Sequence, residues 1–495
     1  MDKLSFPFES VLIANRGEIA VRIIQTLRRL GLRSIVVYHE VDTGAPAVAL
    51  ADEAILIVGK TPVAAYLDGE QLLAAAKSSG AGALHPGYGF LSENADFARA
   101  VTRAGIRFIG PTVEAIELMG DKIRARAFVA RHGFPVAPSA IEEEDASTFV
   151  ERARAVGAPL LVKPSAGGGG KGMRIVRDLA LLEDAIQEAR SEGERYFGDG
   201  RLYVERFVER PRHIEVQVLG DDFGNVVHLY ERECSVQRRF QKIIEETPSP
   251  VLSAEEREQI CATAAGIARA AGYRNAGTVE FIYGAGAFYF LEMNTRLQVE
   301  HPVTEMTTGL DLVAEQVKVA AAMPLSFSQT DIHSTGHAIE ARLYAESPER
   351  EFTPTTGKVL ALRYPKGEGV RVDSGIAQGQ SITTAFDPML AKIIVHAPDR
   401  EAAIAKARAA IADFVFLGCE SNAAFLSRIL DNANFRNDGV HTGYLDEHPE
   451  IASGGASADE ADITVLAAAA LLTRPVRDAA DSVLPLHARL HGWRN

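Results

Sequence analysis

Apolar positions over the first 120 residues switch repeatedly between strand-like runs and helix-like spacing. Residues 10–15 (SVLIAN) form a short apolar run, and beyond Gly17 the side chains of Ile19, Ile23, Leu27 and Leu30 share one helical face. Gly31 ends that helix before a second run at 34–38 (SIVVY). Strand, helix and strand at this spacing form a βαβ unit, which predicts a parallel sheet covered by helices. The segment 85–94 (HPGYGFLSEN) sets glycines and polar side chains just after the apolar pair Ala83 and Leu84. Loops at the carboxyl ends of parallel strands commonly face ligands.

From Gly120 the pattern changes. A helix starting near Asp121 precedes a strand at 159–163, a glycine-dense loop at 167–172, a charged helix around 180–194 and a strand at 202–206. Antiparallel-looking strands run on through Tyr230. The clearest hairpin spans 277–296, where TVEFIY and FYFLEMN alternate around Gly284-Ala285-Gly286. Residues 335–447 form a further α/β stretch, 453–462 have linker composition, and an alanine-rich helix is predicted at 465–472. The expected fold class is therefore multidomain α/β and α+β, with boundaries at 1–120, 121–325 and 335–447 and a linker and helical tail at 448–495.

Composition narrows the function. A net charge of −14 argues against non-specific nucleic-acid binding, because a phosphate backbone would be repelled. The three cysteines (Cys234, Cys261, Cys419) lie far apart, which supports neither a zinc site nor a disulfide framework and fits a reducing cytoplasm. The most apolar run, 463–472, is about half of what a membrane crossing requires, so no membrane partner is expected.

Chemistry concentrates in four places. SAGGGGKGM (165–173) follows a strand ending in Lys163; backbone N–H groups of such a loop can close on phosphate oxygens, with Lys171 adding charge. The bland alternative is a flexible surface loop, and Ser165 and Gly172 rule out a Walker A motif. In the hairpin, Glu280 and Glu292 fall opposite each other, and Glu292, Asn294 and Arg296 share a face while the strand persists. Leu291, Met293 and Leu297 are expected on the other face with Val279 and Phe281. Opposed carboxylates are unfavourable without a cation, so hard oxygen ligands for Mg²⁺ are preferred over a solvated polar face. Arg296, Gln298 and Glu300 then recur at spacing two before His301; arginine and glutamine can grip a small oxyanion while a carboxylate takes its proton. A basic cluster, Arg238, Arg239 and Lys242, sits in CSVQRRFQKIIEE (234–246), where a charged solvated loop is the plain alternative.

Taken in order, NRGEIAVR (15–22), HPGYGFLSEN, MGDK (119–122), SAGGGGKGM, PRHIEVQVLGD (211–221), QRRFQK (237–242) and EMNTRLQVEHPVTE (292–305) resemble biotin carboxylase over residues 8–447. The resemblance implies an N-terminal αβ domain, a central ATP-grasp domain with a mobile lid near 138–208, and a C-terminal domain. It implies that Lys122 and Lys163 contact the ATP phosphates while Gly168, Gly169, Gly170, Lys171 and Gly172 close over them. Glu205, Arg206, Phe207 and Val208 would line the adenine pocket, and His213 and Gln237 would contact the nucleotide. Glu280, Glu292 and Asn294 would hold Mg²⁺, or Mn²⁺ in its place, with Glu280 and Glu292 also facing ATP. Lys242, Arg296, Gln298 and Val299 would bind bicarbonate, Glu300 would be the general base, and Arg342 would stabilise the biotin enolate.

Phe240 departs from the family pattern, which commonly has histidine there. No biotinylation sequence of the AMKM type is present, so biotin would arrive on a separate carboxyl carrier protein or domain. A carboxyltransferase would be a further partner, and a homodimer the usual assembly. The tail resembles the segment that follows biotin carboxylase in propionyl-CoA and methylcrotonyl-CoA carboxylase α chains, which favours an acyl-CoA carboxylase over a pyruvate-type one. Two rivals are another ATP-grasp ligase, indifferent to biotin, and a nucleotide-sensing scaffold, which would be expected to have lost its catalytic positions.

Overall fold

The computed structural model describes residues 5–164 and 172–453. Gly168, Gly169, Gly170 and Lys171, and the alanine-rich helix predicted at 465–472, lie outside the described residues. Strands β1 (Ser10–Ile13), β2 (Arg33–Tyr38), β3 (Glu53–Leu56), β4 (Ala83–His85) and β5 (Arg107–Phe108) form a parallel sheet in the order β3-β2-β1-β4-β5. This is the parallel sheet the apolar spacing predicts. The helix Gly17–Leu30 buries Ile19, Ile23, Ile24 and Leu27 against it and ends where Gly31 takes a left-handed conformation (φ 73°). Its first residues stand at the carboxyl end of β1, beside the loop that follows β4.

A second, small antiparallel sheet is made of β6 (Ser139–Ile141), β7 (Leu160–Pro164), β8 (Arg174–Val176) and β9 (Leu202–Arg206), in the order β6-β9-β7-β8. With the helices Phe149–Val156 and Leu182–Phe197 it closes a core of its own around Leu160, Val162, Val204 and Phe149.

The largest sheet has eight antiparallel strands: β10 (Arg212–Gly220), β11 (Val226–Arg238), β12 (Gln241–Thr247), β13 (Asn275–Gly284), β14 (Ala287–Asn294), β15 (His337–Tyr344), β16 (Val370–Ser374) and β17 (Met389–Ala397). Their order is β14-β13-β10-β11-β12-β15-β17-β16, so one ladder crosses from the central into the C-terminal segment at β12–β15. One face is apolar. Val216, Val279, Phe281 and Met293 pack with the helix Ala254–Ala270, and Ile339, Leu343 and Ile393 pack with Arg400–Asp413. The opposite face carries Glu215, Gln217, Thr278, Glu280, Arg232, Glu340, Arg342 and Lys392, all buried. Helix His301–Thr308 covers part of it, with Thr304 accepting from Arg232 at 3.0 Å. A buried polar layer of this kind persists only where its members satisfy one another. Among the described residues no helix is long and apolar enough to cross a membrane.

Candidate active site

A cavity of about 1200 Å³ opens between the parallel sheet, the small sheet and the polar face of the large sheet. Lys122, at the start of its helix, and Lys163, at the end of β7, line one part of it. Beside them stand Glu205, Arg206, Phe207 and Val208 from β9 and its exit. His213 and Gln237 follow from β10 and β11, and Gln237 Nε2 lies 3.0 Å from His213 Nδ1. Glu280, Glu292 and Asn294 come from the hairpin, while Arg296, Gln298, Val299, Glu300, Lys242 and Arg342 close the far end. Of the described site residues expected from the sequence, Gly172 alone is not in the cavity wall.

The hairpin holds the register the sequence predicts: Glu280 pairs directly with Glu292, and Thr278 with Asn294. Ala285 (φ 51°) and Gly286 (φ 73°) make its two-residue turn. One expectation fails. Phe281 pairs with Phe290, so Leu291 is an extra residue in β14, and it lines the cavity instead of joining Met293, Val279 and Phe281 in the core. A bulge of this kind re-aims side chains next to the site. Leu297 is buried as expected, but in the core beneath the parallel sheet.

Each acidic group on this wall has a cationic neighbour. Glu292 pairs with Lys122 at 2.9 Å, and Glu280 pairs with His213 at 2.9 Å and Lys242 at 3.1 Å. Glu280 also accepts from Asn294 Nδ2 at 2.7 Å and Gln298 Nε2 at 2.9 Å. The Asn294 amide oxygen accepts from Arg296 at 3.1 Å, so it is turned away from Glu280. Glu280 and Glu292 are opposed hard oxygen donors of the kind a divalent ion takes, and in this structure Lys122, His213 and Lys242 offset their charge. Glu280 also shares a donor cluster with His213 and Glu215, but Lys242 already supplies the positive charge there.

Glu300 caps the helix His301–Thr308 and is fully buried. Lys242 Nζ donates to one of its oxygens at 2.6 Å and Arg342 to the other at 2.8 Å. Burial alone would raise this carboxyl, but Lys242, Arg342 and Arg232 together hold it well below its usual range. Burial likewise pulls Lys242 down, and Glu215, Glu280 and Glu300 more than reverse that. Val299 presents its carbonyl to Lys392 Nζ at 2.7 Å.

Several residues in or behind the wall make contacts that the sequence did not assign to them. Glu93 accepts from Arg296 Nε at 2.7 Å and from the Thr295 N–H at 3.0 Å, fixing the arginine that faces the cavity. It lies within HPGYGFLSEN, whose glycines and polar side chains suggest a ligand-facing loop without singling out Glu93. Glu215 contacts Lys242 and, at 2.5 Å, the fully buried Arg232, which also donates to Gln217 and Thr278. Phe240 and Arg239 form the two-residue turn between β11 and β12, both at positive φ (67° and 49°), and the Phe240 side chain is exposed at the cavity mouth.

A small sheet with its own core, poised over a cavity where lysines and opposed carboxylates meet, defines an ATP-grasp nucleotide-handling enzyme. Three family descriptions match the chain in succession: the N-terminal domain of biotin carboxylase over 7–116, the ATP-binding domain of the carbamoyl-phosphate synthase L chain over 121–328, and the C-terminal domain of biotin carboxylase over 340–447. The chain is 45% identical over 441 residues to the biotin carboxylase of Haemophilus influenzae, covering 89% of this chain and 98% of that one. It is 46% identical over 442 residues to a component of the pyruvate carboxylase of Methanothermobacter thermautotrophicus (89% and 90% covered). To the propionyl-CoA carboxylase alpha chain of Ruegeria pomeroyi it is 44% identical over 486 residues (94% and 71%). Among solved structures, the biotin carboxylase domain dimer of the Hydrogenobacter thermophilus 2-oxoglutarate carboxylase, in complex with MgADP, ADP and bicarbonate, superposes with a TM-score of 0.85 at 43% identity, covering 92% and 100%. The chain belongs to the biotin carboxylase family and is an ATP-dependent carboxylating ligase.

Proposed function

We propose that this chain carboxylates biotin held on a separate carrier, as the biotin carboxylase component of an acyl-CoA carboxylase. The observation that carries the reading is the joint hold of Lys242 and Arg342 on Glu300, at the end of the same cavity that Lys122 and Lys163 enter. ATP lies along Lys122 and Lys163 with its base against Glu205–Val208. Glu280 and Glu292, with Asn294 beside them, would hold Mg²⁺ or Mn²⁺, which supplies charge neutralisation on the phosphates when bound.

Bicarbonate enters between Arg296, Gln298 and Lys242. An anion there shares Lys242 with Glu300 and adds negative charge beside it; both effects raise the Glu300 carboxyl from its depressed value toward that of a working base. Glu300 then takes the hydroxyl proton, a carbonate oxygen attacks the γ-phosphorus, and ADP leaves with the electrons of the broken P–O bond, giving carboxyphosphate. Loss of CO₂ from that intermediate frees phosphate, which takes the ureido proton of biotin; Arg342 stabilises the enolate while it attacks CO₂. Water exclusion protects the intermediate, the task assigned to the small sheet.

The acyl-CoA reading draws on the length of the match. Similarity to the propionyl-CoA carboxylase alpha chain covers 94% of this chain, against 89% for the stand-alone biotin carboxylase and for the pyruvate carboxylase component. We further propose a cytoplasmic homodimer that works with a biotin carboxyl carrier protein and a carboxyltransferase. The deciding experiment is ADP release with and without bicarbonate and free biotin. Release that needs bicarbonate and rises with biotin supports the assignment, and release indifferent to both overturns it.

A further inference from the structure

Behind Arg342 lies a pair of carboxyl groups that the reaction as written does not use. Glu245 on β12 is directly opposite Glu340 on β15, and both are fully buried. Glu340 and Arg342 are two residues apart on one strand, so all three side chains share the cavity side of the sheet. The Arg342 terminal nitrogen that reaches Glu300 at 2.8 Å lies 2.5 Å from Glu245 Oε1. One nitrogen therefore stands between two carboxylates.

Glu340 is in a different position. Among the described residues, neither of its oxygens has a hydrogen-bond or ion-pair partner; the Glu245 oxygens also lack a hydrogen bond of good geometry, but Glu245 has its ion pair with Arg342. Its diagonal neighbour on β17, Lys392, is engaged by Glu18 at 3.1 Å and by the Val299 carbonyl at 2.7 Å. A buried carboxylate without partners takes up a proton, and two ionised carboxylates directly opposed would repel. Burial, reinforced by Glu245, also pushes Glu340 well above its usual range, whereas Glu245 rises only to about 7.

We propose that Glu245 is a positioning residue that holds Arg342 for the biotin half of the reaction, and that Glu340 is the neutral acid opposite it that lets Glu245 keep its charge. The need arises from the chemistry of Glu300. Once that carboxylate has taken the bicarbonate proton it is neutral, and Arg342 loses one of its two anionic partners. Glu245 remains, and it keeps the guanidinium where the enolate has to form.

The inference rests on the proposed role of Arg342, so the test separates the two. Two rates are measured on the full chain: bicarbonate-dependent ATP cleavage without biotin, and carboxylation of free biotin. Arg342→Ala is expected to lower the second far more than the first, which it also touches through its contact with Glu300; if both rates fall equally, the reading of Arg342 itself fails. Glu245→Gln is expected to lower carboxylation kcat by about ten-fold while the biotin-free rate stays within about two-fold, and to add almost nothing in the Arg342→Ala background. Full additivity, or carboxylation at the wild-type rate, overturns the inference while leaving Arg342 in place. Glu245→Asp keeps the charge, and so the fold, but withdraws the carboxylate by one methylene; the same selective loss is expected, and wild-type carboxylation overturns the proposal. Glu340→Gln should cost carboxylation no more than about three-fold. A loss as large as that of Glu245→Gln would show that Glu340 acts ionised.

Discussion

Replacing Glu300 by glutamine removes one negative charge and almost no volume, which makes its two consequences separable. The first is chemical. A positioned general base contributes roughly 10²–10⁴-fold, so bicarbonate-dependent ADP release should fall by that factor, about 3–5 kcal/mol of barrier. The second is structural. Removing one partner of a buried ion pair costs about 3–5 kcal/mol when it strands the other charge. Here neither cation is stranded: Lys242 keeps Glu215 and Glu280, and Arg342 keeps Glu245. The folding cost should therefore lie well below that range, and ATP affinity, in the proposal a matter of Lys122 and Lys163 and not of Glu300, should change by less than about two-fold. Steady-state ADP release with and without bicarbonate, nucleotide titration and a denaturant melt measure the three quantities. A folded variant releasing ADP within about three-fold of the wild-type rate would refute the base assignment.

Other perturbations read different parts of the structure. Arg232→Met removes a fully buried guanidinium that bonds Glu215, Gln217, Thr278 and Thr304. Glu215 keeps Lys242, so the loss is one of hydrogen bonds and should cost about 1–3 kcal/mol in urea unfolding; an unchanged midpoint would show that the polar layer contributes no stability. Burial would raise the Glu246 carboxyl, yet His337 and Arg400 hold it at about 2 against an ordinary 4.5. A lowered folded-state value means that its stabilisation, about 3 kcal/mol, is complete above pH ~4.5 and disappears as pH falls toward 2. Glu246→Gln should flatten the acid limb of a stability–pH curve, and an unaltered limb would contradict the pairing. Phe240→Gly relieves a left-handed backbone position and should stabilise the chain by about 1 kcal/mol; a lower melting temperature would show that the exposed ring contributes more than its backbone strain costs.

What could be read from the chain follows the range of the interactions involved. The Glu280–Glu292 pairing needed only a period of two and a turn at Ala285–Gly286, both local in sequence, and it came out in the expected register. The Leu291 bulge has no signature in that pattern, because an inserted residue changes which face follows without changing the composition. Arg296, Gln298 and Glu300 converge as their spacing suggests, but for another reason. β14 stops at Asn294, and a loop and a helix cap, instead of a strand, bring them together. Glu245, Glu340 and Lys392 stayed invisible, since their meaning depends on β12, β15 and β17 becoming neighbours although they are remote in sequence. The parallel N-terminal sheet, by contrast, was plain from the local alternation of apolar runs and helical stripes.

The ladder between β12 and β15 has a consequence for how the chain can be divided. Family boundaries fall between 328 and 340, yet the backbone of 244–247 is bonded to 338–341 across that seam. Inherited modules and cooperative folding units are therefore different objects in this protein. A fragment ending at 328 would offer β12 as a raw border to other molecules, with Ile243 and Ile244 stripped of their cover, and should assemble into aggregates. Paired with a fragment carrying 337–397, it could be rescued by complementation, because the missing strand would restore both the hydrogen bonds and the arginine that the reaction centre lacks.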